Sequence, residues 1–500
     1  MKLPSFLEKI ETKTKNWPVF LLVLLFLVLI LRLPSLFEPC WYGDEGVYLT
    51  LGQSIRQGQT LYRDIHDNKP PLLYWLAAIA GNVFWFRFIL LVWMMGTTIA
   101  FFKLTNKFFK SKNLTLVLTT LFVLLTSLPV FEGLITNAEH FFIGLVILGV
   151  YFFLEKKLWR SGLLMGTAFL FKSHPFFDWL ALLIFSFLLS FASAKNKKDF
   201  FDQIKAKMPL VIGFLVLPLL IFIFYALKPG ALFYYWESAW LQNLPYLSSW
   251  GGQKEASLLS NQLFWRGIIL VVVLAGVFWQ RKFFFKNKRF LLVFLWSVLA
   301  IFGAFLSSRP YSHYLLQVVA PLLILSGFLF VFLFEKKIRF FLIGIIPVVF
   351  LVAGFFGYRF YTYAVIPYYQ NFVQFALGKK DRQEYFNWFD QDVSENYQAA
   401  EFISEALPWG EKIFVWGNQP HIYALSRRLP AGRYTTAYHI RDFDRFQEVF
   451  SAIKKNLPKI VVYDRDYQYP FPDLLTFLNK NYYPIEEFGS LQVWFLFQEI

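Results

Sequence analysis

Asp44 and Glu45 are adjacent carboxylates in the stretch Trp41-Tyr42-Gly43-Asp44-Glu45-Gly46-Val47-Tyr48, just beyond the first long apolar run. A carboxylate at a membrane interface is partly desolvated, which raises its basicity. A positioned general base contributes about 10²–10⁴-fold in rate. One of the pair is therefore a candidate base. The plainer alternative is a solvated loop pair leading into a helix, whose positive N-terminal end favours acids. Lys69 heads a second stretch, Lys69-Pro70-Pro71-Leu72-Leu73-Tyr74-Trp75. An ammonium acts as a point charge for phosphate and steadies a phosphate that departs as a leaving group. It equally suits interfacial anchoring by snorkelling. Arg63 and His66 are close enough in sequence to assist.

Ionisable residues also interrupt apolar sequence at three later places. Glu132, Asn137 and Glu139 share a short segment. Lys172, His174 and Asp178 break another apolar run. Arg309-Pro310-Tyr311-Ser312-His313-Tyr314 stands at the head of a third, where Arg309 would hold a phosphate or a sugar hydroxyl. Such groups at membrane depth are costly unless wet or paired, and they are functional by default. An exposed turn, a break between spans at Pro175, and interfacial anchoring are the respective alternatives. Segment 229–262 carries Tyr234, Tyr235, Trp236, Glu237, Trp240, Tyr246 and Trp250, most of which suit an aromatic belt. No metal-ligand spacing stands out among the histidines, which leaves open whether a divalent cation assists. There is no Walker loop, dinucleotide fingerprint or serine-nucleophile motif.

The elements that must position these residues are membrane helices. Of the 500 residues 57% are hydrophobic, 21% aromatic and only 16% charged, and mean hydropathy is +0.46. Apolar runs of roughly 20 residues recur, enough to cross a bilayer. The net charge of +16 does not indicate a nucleic-acid partner, because the basic residues gather in short loops between apolar runs, as the positive-inside rule predicts. The single cysteine, Cys40, precludes an intramolecular disulfide.

Lys2, Lys9, Lys13 and Lys15 place the N-terminus in the cytoplasm, and Trp17 to Leu36 is an uncleaved first span. Segment 71–84 is too short to cross and is expected to lie on the outer surface, with the second span at about 86–104. Inner loops then fall at 105–113, 155–160, 194–208, 280–289 and 335–339, and outer loops at 132–139, 172–176, 229–262 and 307–313. The count is about eleven spans. The fold class is thus a polytopic α-helical membrane protein, with residues 1–357 as the membrane domain and 38–84 as its catalytic external loop. Residues 358–500 are denser in charge and form a small external α/β domain. It has strands at Lys412–Trp416 and Lys459–Tyr463, helices at Asp442–Asn456 and Phe471–Lys480, and a capping box Asp392-x-x-Glu395 before a helix at Asn396–Ala406.

The set Trp41-x-x-Asp44-Glu45, His66-Asp67-Asn68-Lys69-Pro70-Pro71-Leu72-Leu73-Tyr74-Trp75, Asn137-Ala138-Glu139, Lys172 and His313-Tyr314 resembles the bacterial C-type membrane glycosyltransferases. It is most similar to the branch of protein O-mannosyltransferases and lipid A aminoarabinose transferases, over about residues 15–335. The resemblance implies a sugar donor on polyprenyl phosphate and transfer on the outer face of the membrane, usually with inversion. It makes Asp44 the residue that deprotonates a hydroxyl acceptor, with Glu45 beside it. It associates Lys69 with the donor phosphate and gives Glu139 an acidic position of the second external loop. An arginine of the aminoarabinose transferases is replaced here by Val47, so that Arg63 or Arg309 would substitute; His66, Lys172, His313 and Tyr314 complete the expected substrate-binding set. The expectation is a cell-membrane glycosyltransferase acting on a protein, lipid or glycan hydroxyl. The alternatives are a transporter or flippase of lipid-linked glycans and an accessory glycan-binding subunit. Against the transporter, charges gather at one face and no paired halves are visible.

Overall fold

The structure is a computed structural model and describes residues 19–246, 262–307 and 309–497. The N-terminal lysines and Trp250 lie outside them. The chain is a polytopic helical membrane protein. Among the described residues, eight helices are long and apolar enough to cross a bilayer, the first at Val19–Leu36 and the last at Ile338–Gly357. Lys112–Ser127 and Ala138–Leu154 are apolar but shorter. Segment 71–84 is a short helix, Leu72–Ala80, stopped by Gly81 in the left-handed conformation. The next helix is longer than expected, Val83–Phe109, since neither Arg87 nor the lysines near its end break a helical pattern.

Two compact units emerge, neither continuous in sequence. One comprises the described parts of Met1–Leu33, Leu90–Ile223 and Asn243–Val365. The other comprises Pro34–Ile89, Phe224–Gln242 and the described part of Ile366–Ile500. The loop after the first span thus groups with the C-terminal residues, a different partition from a division at residue 357.

In the first unit, side-chain bonds sort the helix ends into two sets. At one end Lys107 pairs with Glu155, Arg289 donates to the Phe108 carbonyl at 3.0 Å, and Arg339 donates to Gln280 at 3.2 Å. At the other, Arg32 donates to Ser127 and to the Thr126 carbonyl, Lys172 meets Glu139, and His313 meets Glu132. These are the loops that charge patterning grouped as inner and outer.

In the second unit, the C-terminal residues build a five-stranded sheet. Its strands are β1 Lys412–Trp416, β2 Leu429–Pro430, β3 Ile460–Asp464, β4 Tyr482–Phe488 and β5 Leu491–Leu496. The order is β2-β1-β3-β5-β4, with β1 parallel to β2 and β3, and β5 antiparallel to β3 and β4. Ile413 and Val415 face one apolar core, Phe414 and Trp416 the other. Burial on both faces explains the unbroken apolar run of β1. β4 carries Pro484, two glutamates and polar neighbours, which an edge strand tolerates and which hid it from pattern reading. The helices begin later than expected, at Phe446–Asn456 and Pro472–Asn481. The capping box forms at Asp381 and Glu384. Asp392 starts Val393–Ala406 without a side-chain cap bond, because its backbone is already helical and its carboxylate is turned off the N-terminal amides.

Sidedness is open to a direct check. Ser111 is exposed between two helices at the Lys107 end, and the native Cys40 is buried. Ser111→Cys in intact cells should react with a membrane-impermeant maleimide only after permeabilisation. Labelling from outside would invert the assignment of the two ends.

Candidate functional site

Asp44 and Glu45 are in the first turn of the helix Gly43–Arg56 rather than in a loop. Adjacent residues on a helix point about 100° apart and do not share a face, so the two carboxylates have separate surroundings. Asp44 keeps about a third of its side chain exposed. Its Oδ2 accepts from the Tyr48 hydroxyl one turn on at 2.8 Å and from Lys69 Nζ at 3.4 Å. Burial first, then the charge of Asp44, pushes the Tyr48 phenol well above its ordinary value, so Tyr48 stays protonated and donates.

Glu45, expected beside Asp44 as catalytic, is fully enclosed. Its Oε1 and Oε2 accept from Arg87 at 3.1 and 2.5 Å. The same guanidinium reaches Glu38 at 3.2 Å and the Ser35 carbonyl at 3.0 Å. Glu38 also accepts from Tyr368 and from the Trp41 indole. A carboxylate bound through both oxygens and shut off from solvent holds its helix in place; it does not reach a substrate. Arg87 was missed in the sequence although the signal was there: an arginine near the start of an apolar span demands a partner.

Lys69 is fixed through its backbone. Its carbonyl accepts from Tyr62 at 2.7 Å and its amide donates to Tyr74 at 3.2 Å. The ammonium is 3.9 Å from Asp67 and 5.0 Å above the Tyr48 ring. Tyr62 adopts a positive φ of 71°, a costly conformation for an aromatic residue, stapled by the hydrogen bond its amide donates to the Ile65 carbonyl. Two glycines let the Asp44 helix approach its supports. A Cβ on Gly52 would lie 2.6 Å from the Ala77 backbone, and one on Gly46 2.7 Å from the His421 ring.

His66 is buried, not substrate-facing. Its Nδ1 lies 3.2 Å from Ser238 Oγ, its amide donates to the Arg433 carbonyl, and its ring packs on Tyr434 and His439. His439 in turn sits 3.7 Å from Asp67. Arg433 donates to the Tyr62 carbonyl and to Ser238, tying loop 38–84, segment 224–242 and C-terminal residues together. Burial holds both imidazoles below the ordinary range, helped at His66 by His439 and Arg433. Arg63 turns to Asp64 at 2.8 Å and to the Pro229 carbonyl.

The remaining expected residues belong to the first unit. Lys172 is 2.5 Å from Glu139 and 3.8 Å over the Tyr314 ring. His313 is 2.6 Å from Glu132, which also accepts from Ser312 and Asn137. Arg309 is partly exposed just before this group. Asp67 and Tyr48, from the stretches already noted, join the Asp44 surroundings together with Tyr438 and His439, which were not singled out because they come near only in the folded chain. Among the described residues no group of three His, Cys, Asp or Glu side chains is placed to hold a metal ion.

No family model matches the sequence, and no curated protein does. Among solved structures, the chain is similar to ArnT from Cupriavidus metallidurans bound to undecaprenyl phosphate, with a TM-score of 0.53 at 12% identity over 96% of this chain and 98% of that one. This likeness shows a shared fold. Looser similarity, at a TM-score of 0.44 and 13% identity, extends to the Archaeoglobus fulgidus oligosaccharyltransferase in the apo form, over 89% of this chain and 69% of that one.

Two measurements probe this arrangement. Arg87→Met strands two buried carboxylates and should cost at least about 3–5 kcal/mol, seen as a lowered Tm in detergent. Glu45→Gln leaves Arg87 its Glu38 partner and should cost less; the reverse order would refute the network as drawn. The second concerns pH. The unfolded chain protonates His66 and His439 below about pH 6.5 while the native state resists, so stability is present above that pH and is lost as pH falls below it. His66→Gln should flatten the fall in Tm between pH 7 and 5, by up to about 1.4 kcal/mol per pH unit. An unchanged slope would show that His66 is not its source.

Proposed function

We propose that the chain is a membrane glycosyltransferase that moves a sugar from a polyprenyl-phosphate donor to a hydroxyl acceptor on the outer face of the cell membrane, with Asp44 as general base. The observation that carries this reading is the Asp44–Lys69 pair. A partly exposed carboxylate and an ammonium stand 3.4 Å apart, each on a rigid support, while the neighbouring carboxylate is sequestered. The shared fold with ArnT, a lipid A aminoarabinose transferase whose structure is bound to undecaprenyl phosphate, supports the donor class.

Asp44 takes the proton of the acceptor hydroxyl as its oxygen bonds to the anomeric carbon. The bond from that carbon to the phosphate oxygen breaks, and the electron pair leaves with the lipid phosphate. Phosphate is already a good leaving group, so the barrier lies in acceptor deprotonation and in the charge developing on the departing phosphate. Lys69 supplies the cation for that charge. Glu45 serves by holding the Asp44 helix through Arg87. Arg63 and Arg309 remain the further cations expected for the donor phosphate, and Glu139, Lys172, His313 and Tyr314 the contacts expected for the substrates.

Purified protein given radiolabelled polyprenyl-phosphate sugar and a membrane extract as acceptor should transfer label. Asp44→Asn should lower the rate by about 10²–10⁴-fold with Tm retained. Lys69→Ala should slow transfer with a raised KM for donor. Full activity of a folded Asp44→Asn protein would remove Asp44 as base, and absence of transfer by the wild type with every donor sugar tried would leave the reading without support.

A further inference from the structure

In the second unit a cavity of about 470 Å³ opens beside the C-terminal ends of β1 and β3. From β1 the chain runs first to β2 on one side and then crosses to β3 on the other. The crevice between β1 and β3 is thus the point where strand order reverses, and ligands of open α/β sheets bind outside the carboxyl ends of strands at such a point. Asn418 and Gln419, which follow β1, line it. So do Asp464, the last residue of β3, and Asp466 and Tyr469 beyond it.

The lining has a definite chemistry. Asp464, Asp466 and Asp392 contribute three carboxylates against one guanidinium, Arg441. Arg441 is engaged by Asp442 at 2.7 Å and lies 4.4 Å over the Tyr469 ring. Burial, then the neighbouring acids, raises the carboxyl of Asp392 above its ordinary value, a sign of a concentrated negative field. Three carboxylates against one guanidinium disfavour phosphate and other anions by like-charge repulsion. The carboxylates do not converge as ligands of one metal ion. Gln419 is only 8% exposed; its amide nitrogen donates to Asp464 at 2.7 Å, and its amide oxygen has no hydrogen-bond partner among the described residues. Carboxylates and amides side by side accept from vicinal hydroxyls, and the aromatic residues Tyr438 and Tyr469 line the same cavity. Tyr438 lines the cavity and is close enough to Asp44, Asp67 and Lys69 to feel their charges.

We infer that this cavity is a binding site for a carbohydrate without negative charge, and, resting on the proposed function, that it holds the sugar portion of the acceptor beside Asp44. A neutral or amine-bearing saccharide donates its hydroxyls to the acceptor-rich lining and brings no negative charge for that field to repel. The polyprenyl phosphate is excluded from it, which keeps donor and acceptor apart.

The test is saturation-transfer NMR on the purified full chain in nanodiscs, with the methyl glycosides of glucose, mannose, galactose and glucosamine, and methyl glucuronide as the anionic counterpart. At least one neutral or amino glycoside should bind with a Kd of about 1 mM, and the glucuronide more weakly. Asp466→Asn and Tyr469→Ala, both at exposed positions, should each weaken binding by about tenfold, or about 1.4 kcal/mol. Binding by none of the probes, equal binding of glucuronide, or binding unchanged in both variants overturns the assignment. Donor turnover measured in parallel separates the two readings. Turnover that depends on Asp44 without glycoside binding sinks the cavity alone, whereas glycoside binding without turnover sinks the enzymatic reading and leaves a carbohydrate site.

Discussion

The buried network of Arg87 with Glu45 and Glu38 is the constraint on which the second unit depends. A guanidinium without solvent contact must be matched by charge and hydrogen bonds or its desolvation goes uncompensated. Here two carboxylates and the Ser35 carbonyl supply them. Because Glu45 is in the first turn of Gly43–Arg56, its bonds to Arg87 set the rotation of that helix about its axis. Rotation in turn decides that Asp44 points toward Lys69 and water. A buried ion pair of this kind is weak evidence for stability and better understood as fixing one arrangement among several.

The other supports act on the same helix. Gly46 and Gly52 permit close approach where a side chain would meet His421 or the Ala77 backbone, and Thr50 donates to the Pro420 carbonyl at 2.9 Å. Lys69 is clamped by two tyrosines through its backbone, which leaves its ammonium to respond to charge. The pairing of Asp44 with Lys69 is therefore held by rigid parts on both sides, as catalysis by prepositioned charge requires. In the first unit the same physics recurs at the helix ends. Lys172 pairs with Glu139, and Glu132 accepts from Ser312 and Asn137 with His313 beside it, because an unmatched ionisable group in an apolar setting is costly.

The sequence by itself determined the class of protein, the apolar spans, and the sorting of their ends by lysine and arginine, because each follows from local composition and from the cost of charge in a bilayer. It also marked Asp44 and Lys69 as chemistry-bearing, through residue type and a recurring pattern. Strands β1 and β3 were legible for the same local reason, being apolar on both faces.

Only the tertiary structure decided which of two adjacent carboxylates stays partly exposed and which is enclosed. On paper Asp44 and Glu45 are equivalent; a rotation of about 100° between neighbours on a helix and a guanidinium 42 residues along the chain separate them. Likewise His66 became a buried packing residue, Arg63 a partner of Asp64, and the β4–β5 hairpin a sheet edge, all through contacts distant in sequence. The cavity at the ends of β1 and β3 gathers residues from 392 to 490, a set that no spacing rule joins. It exists because a crossover of the chain brings two strand ends side by side.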